Sequence, residues 1–583
     1  MEAIPILVSM VPLAALALLV WLLSRAAVRG RSEPDADLAG SVRRFFLYGL
    51  LYVTLLVAAQ GLVELSGELL APAGERSTAG LARSLAFLVV GGPACAALVW
   101  YIDRRLAQQP AEARSAAWTI YLNAALLTTL IGTMIAGHAV LRSAMGSASD
   151  RGFDTESLLA TLIWGGFWAG HWFFLRNRHG LRGDIDLAAG SVVGLVPLAI
   201  GLAGLLFVGA DEIYNAVADD PMTDRNGPTV PSWAATAVVG GLVWAWYWLS
   251  HYRRADRTQL WYVTVVPIGS LAGFAATVAM AAATAYLVAV WFFGEPHSTE
   301  AVRHFDPLPG FTGVLITGAL SLTYHRSLLG REPARNDATR SADYLLALAA
   351  LVTAVIGATL LLTAAFAIGR SALANTVIAG LIMIGVGGPL WLRFWARIQG
   401  QIAIDRSAEL QSPLRRIYLF SLFGAGGLVV LVAFLAVLTS VFEDILEGTV
   451  SRSTLHDNRV GLALILTVGV VAWYHFGVYR AERADYEPVP PPPSASAAAP
   501  GGPQRIILLS ADDRDISQGL ADATGASVVH WHRTDTEPAT PVDLGALGRL
   551  IAEQPAGDVL VLVGEQGPSI IPFVGPWSEA GDD

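Results

Sequence analysis

A chain of 583 residues with 54% hydrophobic and only 15% charged side chains, and a mean hydropathy of +0.52, has too little polar surface to cover itself in water. The net charge of -10, with arginines placed singly or in pairs, excludes a nucleic-acid patch, and a lone cysteine, Cys95, excludes a disulfide framework. What remains is an all-α polytopic membrane protein whose first partner is the lipid bilayer.

The first apolar run, Ile4 to Leu23, has Glu2 ahead of it and Arg25, Arg29 and Arg31 behind it. A cleaved signal would carry its charge in front, so residues 1–31 read as an uncleaved anchor with the N-terminus outside. Twelve more apolar runs follow, at 45–65, 82–101, 116–140, 156–175, 187–209, 233–251, 261–293, 310–325, 343–368, 374–396, 416–441 and 459–478. Each is of the order needed to span hydrocarbon as a helix, though 261–293 is long for one straight crossing and 310–325 is short. The expectation is about 13 transmembrane helices.

All 38 basic residues are arginine. With loops assigned alternately to the two sides, 25 arginines fall on one side, nine on the other and four in the C-terminal tail. Cationic loops stay in the cytoplasm, which places the C-terminus there. The opposite loops are acidic, with Asp211-Glu212, Asp219-Asp220 and Glu443-Asp444.

Residues 40–483 read as six tandem helical hairpins in one orientation, hence as parallel repeats. A tyrosine recurs near the start of the opening helices at Tyr48, Tyr121, Tyr262, Tyr344 and Tyr418, and is absent near Leu187 to Gly190. Closing helices carry a glycine pair ahead of tryptophan and arginine: Gly91-Gly92, Gly165-Gly166, Gly240-Gly241 and Gly387-Gly388. The aromatics suit interface anchors, and the glycines suit close helix approach.

Residues 484–504 form a Pro/Ala-rich linker. Beyond it, 505–583 changes to the pattern of a small soluble α/β domain, with strands expected at 505–510, 527–532, 558–564 and 569–574 and helices between the first three. Its first turn, Ser510 to Asp515, is acidic and lacks GxG, which excludes a dinucleotide site there. His530 and His532 share a strand face without a third ligand nearby and read as structural.

No P-loop, HExxH, GxSxG or CxxC occurs, so no catalytic, cofactor-binding or metal residue is assigned and no cofactor is expected. His171, His251, His325 and His475 lie near the arginine-bearing ends of closing helices and read as solvated side chains rather than haem ligands. Within the apolar runs Gln60, Glu64 and His138 are the candidate polar site.

The tandem unit, opened by arginine and tyrosine as in Arg340 to Leu345 and closed by a glycine pair, tryptophan and arginine, resembles a bacterial integral membrane family of unknown function with tandem two-helix repeats (domain of unknown function 5671). The resemblance covers about Gly40 to Arg483 and implies a location in the cell inner membrane without implying an activity. Two functions remain as expectations. One is a binding or scaffold protein that presents residues 505–583 to a cytoplasmic protein partner. The other is a transporter or channel of unknown small-molecule substrate, which would gain if Glu64 and His138 faced each other across a cavity.

Overall fold

Ten helices of the computed structural model are long and apolar enough to cross a membrane. They are α1 (Leu38–Leu70), α2 (Thr78–Gln108), α3 (Ala116–Ala144), α4 (Thr155–Arg176), α5 (Ile185–Ala218), α7 (Gln259–Phe293), α9 (Asp337–Phe366), α10 (Ala374–Ile404), α11 (Pro413–Glu447) and α12 (Arg459–Ala484). Two further helices complete the hairpins: α6 runs over Val230–Trp244 and continues as π-helix through Ala245–His251, and α8 spans Leu308–Leu329. Each of the twelve apolar runs after the anchor thus coincides with a helix, the run at 343–368 as far as Phe366. The structure describes residues 38–484 and 503–573, apart from 73, 75, 147–152, 178–183, 219–229, 331–334, 368–372, 504, 511–513, 533–542, 555–557 and 565–566. The expected anchor at Ile4 to Leu23 lies outside the described residues.

Polar side chains set several helix starts by accepting the orphan N–H groups of the first turn. Ser115 accepts from Trp118, Thr258 from Trp261 and Asn336 from Thr339, the last within a reciprocal capping box. The long run at 261–293 is one helix whose Thr264–Leu271 segment is π-helical around Pro267, a wider turn that absorbs the missing proline N–H.

The chain divides into two compact units, Met1–Phe476 and Gly477–Asp583. In the first, consecutive helices pair as hairpins, and each opening helix then packs on the closing helix of the next hairpin: α1 on α4, α3 on α6, α5 on α8 and α7 on α10. A hydrogen bond of 2.9 Å between Thr359 and Thr467 continues the series from α9 to α12. Among the described residues, extensive packing between hairpins joins only neighbours in the chain, as in a one-dimensional repeat array.

The second unit holds a four-stranded sheet of order β2-β1-β3-β4, built from β1 (Arg505–Ser510), β2 (Ser527–His532), β3 (Asp558–Gly564) and β4 (Gly567–Phe573). The first three strands are parallel and β4 returns antiparallel beside β3. Helices α13 (Arg514–Thr524) and α14 (Leu544–Ala552) bury Leu520, Leu547 and Ile551 against Ile506, Leu508, Val559 and Val561. The sequence pattern anticipates this alternation and the final strand.

Candidate functional site

The largest buried side chains of the helical unit gather at its arginine-bearing helix ends: Trp118, Trp248, Trp261, Arg415, Tyr247 and Tyr252. Tryptophan N–H groups there reach the tyrosine of the next closing helix. Trp168 donates to Tyr247 at 2.8 Å, Trp248 to Tyr324 at 2.8 Å and Trp395 to Tyr474 at 2.9 Å. Each ring thus buries apolar area and satisfies its polar atom at once. Trp168→Phe leaves the Tyr247 hydroxyl without that donor, and a loss of about 1–2 kcal/mol is expected in thermal or denaturant unfolding of the detergent-solubilised protein.

Three histidines sit inside this seam, which corrects the expectation that they are solvated. His171, His325 and His475 are only 5%, 1% and 1% exposed, because tryptophan and tyrosine rings cover them. Each places Nδ1 2.8 Å from the carbonyl four residues earlier, at Phe167, Ser321 and Val471. That bond requires the proton on Nδ1 and leaves Nε2 as an acceptor. The Nε2 of His171 pairs with the Tyr121 hydroxyl at 2.8 Å, whereas those of His325 and His475 are buried without a hydrogen-bond partner. His251 is only partly covered.

The tyrosine repeat also changes register. Ser115 and Thr258 cap α3 and α7 in the same way, and counting from the caps sets Trp118 against Trp261 and Tyr121 against Thr264. Tyr262 is therefore no counterpart of Tyr121; its hydroxyl accepts from Asn336 at the start of α9, at 3.1 Å. The gap near Leu187 to Gly190 has a physical cause. A Cβ at Gly190 would lie 2.2 Å from Cδ1 of Tyr247, so the α6 ring fills the space beside α5.

Sequence reading missed the ion pairs at the joints between hairpins. Arg105 at the end of α2 binds Glu112, which is 3% exposed, just ahead of α3. Arg176 at the end of α4 meets Asp186 at 2.5 Å in the first turn of α5, where the carboxylate is fully buried. At the start of α9, Asp343 receives Arg335 at 2.9 Å and Arg326 at 3.3 Å. Glu409, in the short helix Arg406–Gln411, receives Arg335 at 2.8 Å and Arg340 at 3.0 Å. Near the second joint, burial pushes the Asp184 carboxyl up, Asp256 adds to the rise and Arg176 opposes it. Buried carboxylates ahead of opening helices are the signal in sequence: Glu112 precedes Tyr121, and Glu409 precedes Tyr418, by the same nine positions.

Of the three residues singled out within the apolar runs, two come together. Gln60 donates to Glu64 at 3.0 Å, and Glu64 also takes Arg83 of α2 at 3.0 Å, in a partly exposed pair. His138 makes a different contact, its Nε2 3.3 Å from the carbonyl of Ser232 on α6. In the second unit His530 bonds the buried Ser510 at 2.8 Å, while the side chain of His532 is outside the described residues. Among the described residues no three His, Cys, Asp or Glu side chains converge to hold a metal. A cavity of about 590 Å³ lies between α7, α9 and α10, lined by apolar residues such as Phe274, Ala279, Val352 and Met383 together with Tyr286 and Thr353.

The model of one protein family, described as a domain of unknown function (DUF5671), matches residues 44–170, 187–320 and 340–490. Each match takes in two successive hairpins, and each carries one of the three buried histidines or ends just before it, as at His171; His325 follows the second match by a few residues. No curated protein and no solved structure matches the chain. With well over half of its length matched in three tandem copies, the chain belongs to the DUF5671 family.

Proposed function

We propose that this is a multi-pass protein of the bacterial inner membrane, with the N-terminus outside and the C-terminus in the cytoplasm, which acts as a membrane scaffold presenting residues 505–583 to a cytoplasmic protein. The observation that carries this reading is the separate soluble unit, with its own core around Ile506, Leu508 and Val561, placed after a Pro/Ala-rich linker. The candidate polar residues of the helical unit support it, since Glu64 is neutralised within its own hairpin by Arg83 and His138 Nε2 is engaged by the Ser232 carbonyl.

Proximity labelling from the C-terminus of the full chain, compared with a chain lacking 505–583, tests the reading. A set of cytoplasmic proteins lost on deletion supports it, and an unchanged set overturns it. The orientation has its own test. In a Cys95→Ser background, Arg254→Cys should react with a membrane-impermeant maleimide only after the cells are opened. Thr299→Cys, on the opposite side, should react in intact cells.

The cavity of about 590 Å³ favours one second reading, a transporter or channel in which α7, α9 and α10 hold the cargo. Its apolar lining would suit a hydrocarbon-like molecule rather than an ion.

A further inference from the structure

Among the described residues, the helices of the second unit lie on one side of its sheet. α13 and α14 both cover the face of Ile506, Leu508, Val559 and Val561 and touch each other there, with Gly519 against Leu544 and Gly548 against Ala523. The strand register lays out the opposite face in rows that cross the sheet. One row runs Val529, Ile507, Leu560, Ile571, and the next runs Trp531, Leu509, Leu562, Ser569. A solvent-facing side would alternate to polar residues at these positions. Instead β1 (RIILLS) and β3 (DVLVLVG) are nearly continuous apolar runs, the composition of strands covered on both faces. The central row member Ile507 is buried, but at the edges Val529 is 43% exposed, Trp531 50% and Ile571 47%.

Charge decides what fits this face. Residues 505–573 contain ten acidic and four basic side chains, a net charge of -6. A second copy carries the same charge, and an anionic membrane surface repels it as well. In α/β layers the element that covers a free sheet face is a helix with an apolar stripe. We propose that the face of Val529, Trp531 and Ile571 docks a basic amphipathic helix of a cytoplasmic protein, which supplies the missing layer. This rests on the reading of 505–583 as a partner-presenting domain and names the surface and the chemistry of the partner.

The test uses the full chain in nonionic detergent, with the chain lacking 505–583 as background. The probes are two fluorescent synthetic helices that share a leucine stripe, one with lysines and one with glutamates on the polar face. The expected result is binding of the lysine helix above background and little binding of the glutamate helix. Trp531→Ala, and separately Val529→Asp with Ile571→Asp, should weaken the lysine helix by about tenfold or more, with unfolding curves unchanged for Trp531→Ala. Equal binding to wild type and Trp531→Ala, or none above background, overturns the proposal. So does a concentration-dependent dimer that both variants abolish, which would assign the face to a second copy. If deletion of 505–583 removes the cytoplasmic partners in proximity labelling while Trp531→Ala and the double variant leave them in place, this surface is wrong and the presenting role stands.

Discussion

Gly240→Leu is expected to destabilise the helical unit by about 3 kcal/mol or more, at the upper end of overpacking effects, while Gly241→Ala beside it leaves stability unchanged or slightly raised. The two glycines are adjacent in sequence but face different surroundings. A Cβ on Gly240 would lie 2.3 Å from the backbone nitrogen of Leu198 on α5, so there is no side chain to move aside. A Cβ on Gly241 meets only the Leu198 side chain, at 3.5 Å, an ordinary contact. The same division recurs. Gly91 faces the nitrogen of Ala58 at 2.8 Å and Gly387 that of Ala354 at 2.6 Å, while Gly92 and Gly388 have no neighbour closer than 3.6 Å and 3.9 Å. In a helical hairpin the small residue is what lets two backbones approach. Melting of purified variants in detergent separates the two roles. A gain at both positions would mean that helix propensity outweighs close approach, and equal loss at both would mean that the two glycines are not distinguished by backbone approach.

That asymmetry also marks where the sequence stops being informative. Hairpins, their glycine pairs and their arginine-bearing ends are local patterns, and periodicity reveals them. Which glycine of a pair touches the partner depends on rotation of one helix against another, and no local pattern encodes it. In the second hairpin the rule even shifts: Gly165 and Gly166 are free of close contacts, and Gly132 on α3 makes the close approach instead, to Trp164. The histidines show the same limit. Next to arginine in sequence, His475 reads as wet; in three dimensions Trp391, Trp395, Tyr418 and Tyr474 enclose it from α10, α11 and its own helix. Tyrosine spacing misled at Tyr262, because the caps rather than the gap lengths define the register. Where the second unit is concerned, strand order and the placement of its described helices on one face needed the structure, although the strands themselves did not.

Asp186→Ala is expected to cost about 3 kcal/mol, whereas Glu64→Gln, which breaks another arginine pair of similar length, should cost less than about 1 kcal/mol. The distances do not predict this difference, since they are 2.5 Å for Arg176 with Asp186 and 3.0 Å for Arg83 with Glu64. Burial does. The Asp186 side chain is 0% exposed, while Glu64 and Arg83 are 18% and 43% exposed, so water can replace the partner that Glu64→Gln removes. Removing the Asp186 carboxylate leaves the Arg176 guanidinium, stacked 4.4 Å over Trp172 and 22% exposed, without its direct ion-pair partner in the aromatic seam, with Asp184 as the remaining nearby carboxylate. The charge, not the lost contact, then dominates the cost. Asp186→Ala combined with Arg176→Met should therefore recover most of the stability lost by Asp186→Ala alone. Denaturant unfolding of the two single variants and the double variant decides it. Recovery makes these arginines neutralising partners of buried carboxylates at the hairpin joints. If the double variant is instead as unstable as the sum of the singles, the arginine acts there independently of Asp186, and only the charge asymmetry between loops would account for it.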